Sequence, residues 1–533
     1  MEGESGPRSR AGLRRREFLI GGAGAGIALA GPLNYAAVAR NLRVPAATHG
    51  KFAHGVAAGF PSPKGITLWT RVSELHRSSK LTLEVAKDKH FRDVVKSKDV
   101  VAESNRDFTV HEHVGGLKAG HEYFYRFETK HKSSGVGRFR TLPPSDSKQR
   151  LRLGFYSCQD YEAGYFNTQA ALAKDDLDLV VCLGDYIYEH SYYPGPADRA
   201  DHLGPNGDGD VQSLAEYRSK YRFYQSDKDL QAMHAAHAFV SVWDDHEVED
   251  NYAGDTPDSA ATDPNLENDN AYPRRVPFGE RRKNGYKAFF EAMPRIQKKG
   301  AKNQIYGSLR IGGLAELFLT DQRQYRDPQA CGDALLEPCP ASDDPARTFL
   351  GPEQKAWFKK AVPKSDATWK LWGSEVMVMS LDLPRGQHVS QDQWDGYAAE
   401  RKEILEHFLS KGVSNLTAIT GDIHTFLAGD MTTTGNIDGQ PVGVELVGGS
   451  ATSLGIPEFL GVPSSTLQAL REANDPHVKF ADFDRRGYGV VTVSKSKLVG
   501  QFFAVDALTK GASPTPLATF EVPSGARSLE QGA

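Results

Sequence analysis

A run of apolar residues that ends abruptly in a carboxylate is the most constraining feature of this chain. Leu179-Val180-Val181-Cys182-Leu183 is followed directly by Gly184-Asp185, and Tyr188 comes three residues after the aspartate. Such a run predicts a buried strand, and the residues just past its carboxyl end lie where open α/β sheets bind their ligands. Because an aspartate is costly to bury without a cationic partner, the segment points to a metal ion.

Three further strand-like segments end in turns that are rich in metal donors. In chain order they deliver Cys158; then Asp244, Asp245, His246 and Asn251; and finally Asp422 and His424. One Gly-Asp pair alone is weak evidence, since aspartate is common at turns and helix caps. Its recurrence at successive strand ends predicts one shared site.

The donor types restrict the choice of metal. Thiolate, phenolate and imidazole suit a transition metal, and a tyrosinate favours a hard, highly charged ion such as Fe³⁺ over Zn²⁺. The carboxylate and amide oxygens suit Ca²⁺, Mn²⁺ or another hard cation. A carboxylate that bridges two ions would complete a two-metal site about 3.5–4 Å across, which clamps a phosphoryl group and activates a water or hydroxide.

The order of apolar segments predicts two kinds of domain. Short alternating strands over residues 48–145 resemble a fibronectin type III β-sandwich. From 150 to 525 the pattern becomes α/β. It predicts strands at 151–157, 178–183, 238–243, 314–320 and 416–420, helices at 167–175, 213–223, 284–292, 352–361 and 395–410, and a long surface loop at 250–283.

The N-terminus indicates where the protein works. Arg14-Arg15-Arg16-Glu17-Phe18-Leu19-Ile20 is a twin-arginine pattern, and Ala37-Val38-Ala39 is a plausible cleavage site. We therefore predict a signal peptide over residues 1–39, export by the twin-arginine machinery, and a secreted, periplasmic or cell-wall location. Cys331 and Cys339, eight residues apart in a polar loop, are placed as a disulfide in an exported protein would be.

Composition excludes several partners. The net charge of −4 over 533 residues is too small to suggest electrostatic binding to nucleic acid or to an anionic membrane. No segment of the mature chain is long and apolar enough to predict a membrane span. We also expect a monomer.

Four short motifs resemble those of the alkaline phosphatases of the PhoD type. They are Ser157-Cys158-Gln159, Leu183-Gly184-Asp185-Tyr186-Ile187-Tyr188, Trp243-Asp244-Asp245-His246-Glu247 and Gly421-Asp422-Ile423-His424. The resemblance extends over nearly the whole mature chain, because that family also carries an N-terminal β-sandwich and a twin-arginine signal. It implies an α+β or α/β catalytic domain whose four αββα layers are similar to those of calcineurin-like and purple acid phosphatases.

The resemblance also implies a role for each donor. The expected ligands are Cys158, Asp185, Tyr188 and His424 for Fe³⁺, with Asp185 bridging to Ca²⁺, and the Asp244/Asp245 turn, Asn251 and Asp422 for Ca²⁺. The sequence leaves open which of Asp244 and Asp245 binds, and Mn²⁺ or Zn²⁺ are possible substitutes. The wider superfamily usually has Gly-His-x-His where this chain has Gly421-Asp422-Ile423-His424, and the extra carboxylate fits calcium better than zinc.

Basic side chains complete the expected site. His246 matches the histidine that other metallophosphatases place beside the leaving group. Arg323, Arg326 and Arg385 follow strand-like segments and could hold phosphate oxygens in bidentate fashion, with Arg323 the first choice. The alternative for each arginine is a surface ion pair.

These residues and the resemblance predict an exported phosphoesterase. It would hydrolyse phosphate monoesters, diesters or both, in a small-molecule or phospholipid phosphoester substrate, through a metal-bound hydroxide. A secreted, calcium-dependent phosphodiesterase of the phospholipase D type is an open alternative with the same chemistry. A wall-binding protein with an inactive catalytic domain is a third hypothesis, but it predicts missing ligands, whereas every expected position is filled.

Overall fold

The computed structural model describes residues 44–192, 199–257, 273–297, 300–301, 303–333, 338–383 and 387–531. The predicted signal peptide at 1–39 and the predicted phosphate ligand Arg385 lie outside these residues. Residues Pro45–Ala533 form one compact unit. Among the helices of the described ranges, none combines the length and the apolar character needed to cross a bilayer.

Among the described residues the first seven strands follow one another without an intervening α-helix, and the α-helices are interspersed among the later strands. The N-terminal strands are β1 (Val56–Ser62), β2 (Gly65–Arg71), β3 (Ser79–Ala86), β4 (Val94–Ala102), β5 (Thr109–Gly115), β6 (Glu122–Glu128) and β7 (Gly137–Arg140). The later strands are β8 (Leu151–Tyr156), β9 (Leu179–Leu183), β10 (Ala238–Val242), β11 (Gly307–Ile311), β12 (Ala315–Leu319), β13 (Trp369–Ser374), β14 (Asp382–Leu383), β15 (Gln387–His388), β16 (Leu416–Thr420), β17 (Phe426–Thr432), β18 (Pro441–Gly448), β19 (Val478–Asp482), β20 (Arg486–Val493), β21 (Lys497–Val505), β22 (Thr515–Pro523) and β23 (Glu530–Gln531). The helices are α1 (Asn167–Lys174), α2 (Leu214–Tyr224), α3 (Lys228–Ala236), α4 (Phe278–Ala292), α5 (Gly351–Lys364), α6 (Ala398–Ser410), α7 (Ile456–Leu460) and α8 (Ser464–Ala473).

Two large sheets form the centre of the molecule. The first has the order β23-β22-β21-β20-β8-β9-β10-β1-β2-β5, and the second has the order β11-β12-β13-β16-β18-β17-β19. In the first sheet β8, β9, β10 and β1 are parallel, and in the second β12, β13, β16 and β18 are parallel. Strand β9 is buried along its whole length, as its unbroken apolar run predicted.

The N-terminal strands are divided between two sheets. Strand β1 pairs in parallel with β10, with Ala58 opposite Ala238, and β2 and β5 continue that sheet to its edge. The remaining strands form a separate sheet in the order β4-β3-β6-β7. The N-terminal region therefore contributes three strands to the same sheet as β8 and β9, and the domain boundaries at 145–150 stay a prediction.

The two large sheets pack face to face, and helices cover their outer faces. Phe155 of β8 lies against Gly448 of β18 on the opposite sheet, where an added Cβ would stand 2.8 Å from its ring. A second apolar cluster joins the outer face of the second sheet, including Trp372, to Phe358 of α5 and Phe408 of α6. The predicted four-layer αββα core is thus confirmed.

The predicted strands at 151–157, 178–183, 238–243, 314–320 and 416–420 agree with β8, β9, β10, β12 and β16 to within one residue at each end. The helix predicted at 284–292 instead begins at Phe278, inside the stretch expected to be a loop. Its first turns look polar, but Arg281 is buried there and donates a hydrogen bond to Glu249 (2.5 Å). Because this charged residue is buried in an ion pair, the spacing of the apolar residues alone does not reveal the first turns of the helix.

The loop that contains Cys331 and Cys339 is closed by a disulfide. Their sulfur atoms are 2.10 Å apart, so the pairing predicted from the spacing is confirmed. Cys182 lies within β9, is fully buried and is a free thiol. A buried thiol of this kind packs as a small apolar core residue.

The packing of Phe155 leads to a stability prediction. We expect Gly489→Ala to destabilise the fold by about 1–3 kcal/mol, because a Cβ at this position in β20 would collide with the Phe155 ring. Chemical denaturation would measure the change. Gly279→Ala is the matched control, since nothing lies within 4 Å of its added Cβ, and it should be neutral or slightly stabilising. Equal stability of the two variants would contradict this packing.

Candidate metal centre

The predicted donor turns meet at one edge of the paired sheets. Cys158 N donates to the carbonyl of Gly184 (3.3 Å), which ties the turn after β8 to the turn after β9. Gly421 N donates to the carbonyl of Glu375 (3.1 Å), which ties the turn after β16 to the turn after β13. Because the carboxyl ends of parallel strands point the same way, turns from both sheets face a common space.

The backbone is unusual at the expected ligands. Five of them have positive φ: Cys158 (58°), Asp185 (52°), Asn251 (50°), Asp422 (65°) and His424 (52°). For residues other than glycine this left-handed conformation costs about 1–3 kcal/mol each and is retained mainly at functional sites. Gly184, with φ +106°, must remain glycine because an added Cβ would collide with Asp244.

One donor group combines sulfur, oxygen and nitrogen. Ligand atoms of Cys158, Asp185 and His424 lie within 4.8 Å of one another. The Tyr188 hydroxyl is 3.1 Å from Asp185 Oδ2 and 3.2 Å from His424 Nε2. The four residues expected to bind iron are therefore gathered around one point.

His424 is prepared to act as a ligand. Its Nδ1–H donates to the carbonyl of Leu454 (2.7 Å), which leaves Nε2 unprotonated and facing Tyr188. Burial lowers the pKa of His424 to about 4, so the ring is neutral at physiological pH. A neutral imidazole whose second nitrogen is hydrogen-bonded to a carbonyl is the usual form of a metal-binding histidine.

Two further donor groups adjoin the first. Asp185, Asp245 and His246 form one, and Asp244, Asp245 and Asp422 form the other, each with ligand atoms within 4.8 Å. Asp185 belongs to the first and second groups, as a bridging carboxylate would. Both Asp244 and Asp245 lie at the site.

Asn251 is held in place by hydrogen bonds of its backbone to two neighbouring side chains. Its N–H donates to Asp245 Oδ2 (2.7 Å), and its carbonyl accepts a hydrogen bond from Arg326 (2.9 Å). The residue thus lies beside the third donor group.

These residues fit metal ions. Three buried oxygens accept no hydrogen bond from any of the described residues: Asp185 Oδ1, Asp244 Oδ2 and Asp245 Oδ1. Burial raises the pKa of Asp185 and Asp244 well above their usual range and that of Asp422 to about 6. A cation would supply the partner that these oxygens lack and keep the carboxylates ionised.

Arg323 lies inside the site and not on the surface. Its side chain is 0% exposed, and its guanidinium donates to Asp244, to Asp392 (2.6 Å) and to Asp422 (2.6 Å). Asp245 Oδ1 is 3.4 Å from the same group. A phosphate oxygen would have to compete with these carboxylates, so the phosphate-binding role of Arg323 stays a prediction.

Asp392 is a site residue that sequence reasoning missed. It accepts hydrogen bonds from Arg323 (2.6 Å), Arg326 (2.6 Å) and Gln329 (2.8 Å). Arg326 is buried through this pairing, and it does not form the surface ion pair that was the alternative for it. No strand ends directly before Asp392, so the strand-end pattern could not find it.

Glu189 is a second missed residue. It is fully buried and accepts a hydrogen bond from His246 Nδ1 (2.8 Å). Burial favours the neutral ring, but the carboxylates of Asp245, Asp185 and Glu189 hold the pKa of His246 well above its usual range. The His246 ring also stacks on Tyr188, with centroids 4.1 Å apart. The sequence offered one sign of Glu189, which is its position as an acidic residue four places after Asp185.

Comparison with known proteins agrees with this geometry. Residues 153–502 match the family PhoD-like phosphatase, and residues 37–143 match the PhoD-like phosphatase, N-terminal domain. The chain belongs to the PhoD-like phosphatase family. Membership makes it a phosphoric ester hydrolase of the metallophosphatase type, which implies metal ions.

Individual relatives support the assignment. The chain is 34% identical to alkaline phosphatase D of Bacillus subtilis (strain 168) over 492 residues, which are 88% of this chain and 80% of the relative. A solved structure of PhoD is similar with a TM-score of 0.78 and 30% identity, covering 90% of this chain and 92% of that one. A purple acid phosphatase, PPD1 from yellow lupin (Lupinus luteus) seeds, shares the fold alone, at 12% identity and a TM-score of 0.50, with coverage of 88% and 73%.

The contact between Glu189 and His246 leads to a kinetic prediction. We expect Glu189→Gln to lower kcat for a phosphate monoester by roughly 10²-fold, because the imidazolium loses the carboxylate that orients it. The pKa of His246 would also fall, so the alkaline limb of the kcat profile should move to lower pH.

Steady-state kinetics between pH 6 and pH 11 would measure both effects. Glu472→Gln, an exposed residue of α8, is the matched control and should change neither. An unaltered kcat and pH profile in Glu189→Gln would show that the carboxylate does not act through His246.

Proposed function

We propose that the protein is an exported, metal-dependent phosphatase that hydrolyses phosphate monoesters at a mixed centre of Fe³⁺ and Ca²⁺. The observation that supports this most directly is the position of Asp185. It belongs at once to the group with Cys158 and His424 and to the group with Asp245 and His246, and Asp245 in turn belongs to the all-carboxylate group with Asp244 and Asp422. Neighbouring groups of different chemistry that are linked by shared carboxylates suit two different ions.

The donor types support the assignment of each ion. Cys158, Tyr188 and His424 offer sulfur, phenolate and nitrogen, which favour Fe³⁺ next to Asp185. Asp244, Asp245 and Asp422 offer oxygen alone, as Ca²⁺ prefers, with Asn251 close by. Bound there, the ions would polarise the phosphoryl oxygens and supply an activated water.

Two basic residues of the centre have different proposed roles. His246 Nδ1 is engaged by Glu189, so its Nε2–H is the atom that can donate to the departing alkoxide oxygen. Arg323 balances the charge of the carboxylates around it. These contacts support a role for His246 at the leaving group and a role for Arg323 in holding the ligands together.

Other features support export and a monoester substrate. The disulfide between Cys331 and Cys339 suits an oxidising compartment, as the twin-arginine pattern does. The Bacillus subtilis relative is named an alkaline phosphatase.

Removal of the shared carboxylate tests the metal centre. We expect the Asp185→Asn protein to bind one metal ion fewer. Its kcat/KM should fall by roughly 10³-fold or more, since metal polarisation supplies several kcal/mol of transition-state stabilisation. Metal analysis and hydrolysis of 4-nitrophenyl phosphate would be measured together. Asp438→Asn, an exposed carboxylate, should change neither, and full activity of Asp185→Asn would contradict the proposal.

A comparison of substrates tests the reaction class. The native protein should hydrolyse a monoester with a higher kcat/KM than a diester, bis(4-nitrophenyl) phosphate, or phosphatidylcholine. Faster release of choline from phosphatidylcholine would instead assign it to the phospholipase D type. No hydrolysis of any of the three by metal-loaded protein would favour a binding protein with an inactive centre.

A further inference from the structure

The turn that follows β18 touches three of the expected iron ligands. Residues 450–454, which we name the 450–454 segment, cross beside the first donor group. Thr452 N and Ser453 N both donate to the carbonyl of Cys158, at 3.2 and 3.3 Å. The carbonyl of Leu454 accepts the Nδ1–H of His424 (2.7 Å). The segment therefore fixes the backbone of one ligand and the ring of another.

The third contact is made by the side chain of Ser453. Its hydroxyl oxygen lies 2.7 Å from the Tyr188 hydroxyl oxygen and 2.9 Å from the carbonyl of Cys158. The residue is 1% exposed, so water does not compete freely for these bonds. A serine hydroxyl has a single proton, and it can donate to only one of the two oxygens at a time.

The other hydrogen bonds around Ser453 show which of these two oxygens lacks another donor. The carbonyl of Cys158 already accepts from two backbone N–H groups. Among the described residues, the other hydrogen-bonding neighbours of the Tyr188 oxygen are Asp185 Oδ2 and His424 Nε2. Both of these atoms are acceptors when His424 donates through Nδ1. Within the described residues, the Ser453 hydroxyl is thus the group that can donate to a Tyr188 phenolate.

Ser453 is itself held in place. Its carbonyl accepts hydrogen bonds from Ser450 Oγ (2.6 Å) and from Arg486 Nε (3.0 Å). Arg486 also pairs with Glu458 (2.6 Å), which joins the segment to β20 and to α7. The hydroxyl therefore occupies a fixed position before any ligand binds.

We infer that Ser453 is a positioning residue for the metal centre: its hydroxyl donates a hydrogen bond to the Tyr188 oxygen and directs that oxygen toward Asp185 and His424. The inference rests on the proposed function, because it takes Tyr188 to be a ligand. Hydrogen bonds from neighbouring groups to a ligand set its orientation and its donor strength, and their loss typically costs about 10- to 100-fold in metal affinity or activity.

The hydrogen bond has a spectroscopic consequence. A tyrosinate on Fe³⁺ absorbs visible light through charge transfer from the phenolate to the metal. A donated hydrogen bond lowers the energy of the phenolate electrons, so its removal brings them closer to the empty metal orbitals. The absorption band should then move to longer wavelength.

The test uses the full exported protein loaded with Fe³⁺ and Ca²⁺. Ser453→Ala should show a band at longer wavelength and bind Fe³⁺ about 10- to 100-fold more weakly. Ser453→Thr keeps the hydroxyl and should restore the band and the affinity. Ser450→Ala removes a hydrogen bond to the carbonyl of Ser453 but leaves the Ser453 hydroxyl, and it serves as the control for loosening of the segment.

Each outcome decides a different point. An unchanged band in folded Ser453→Ala, or an equal shift in Ser450→Ala, overturns the role of the Ser453 hydroxyl while the phosphatase function stands. A wild-type protein that hydrolyses a monoester but has no visible band with Fe³⁺ overturns both the Tyr188 ligand and this inference. A wild-type protein that has the band but hydrolyses no phosphoester overturns the proposed function alone.

Discussion

Mutual repulsion among buried carboxylates is the constraint on which this structure depends. Four of them, Asp185, Asp244, Asp245 and Asp392, lie within one small volume together with the half-buried Asp422. Burial alone would keep such groups neutral. Arg323 and Arg326 compensate part of the charge, and the oxygens that accept no hydrogen bond mark where further positive charge is required. Metal ions bound there would therefore stabilise this centre as well as make it reactive.

The fold concentrates these groups by bringing two sheets together. Parallel strands of both sheets end at the same edge, so turns that are far apart in the chain become neighbours. The turns reach the centre only by adopting strained backbone conformations, as at Asp185 and Asp422. The packed interface between the sheets, where Phe155 fits against two glycines, stabilises the fold against this strain and this electrostatic repulsion.

Sequence reasoning succeeded where a donor follows a strand. Cys158, Asp185 and His424 each come just after an apolar run, and the structure brings all three together. It failed for Glu189, Asp392 and Ser453, which lie in irregular segments without a periodic signal. It predicted an N-terminal β-sandwich but not that β1, β2 and β5 would extend the first large sheet. Strand patterns show that a strand exists but not which strand it pairs with.

The sequence alone determined the strands of the core, the identity of most donors and the family, because these depend on local patterns of residue type. Only the tertiary structure decided how the donors are grouped. It made Asp185 common to two groups, enclosed Arg323 among carboxylates, and set Glu189 and Ser453 against His246 and Tyr188. Contacts at this site join residues up to 295 positions apart, and they exist only once the sheets have packed.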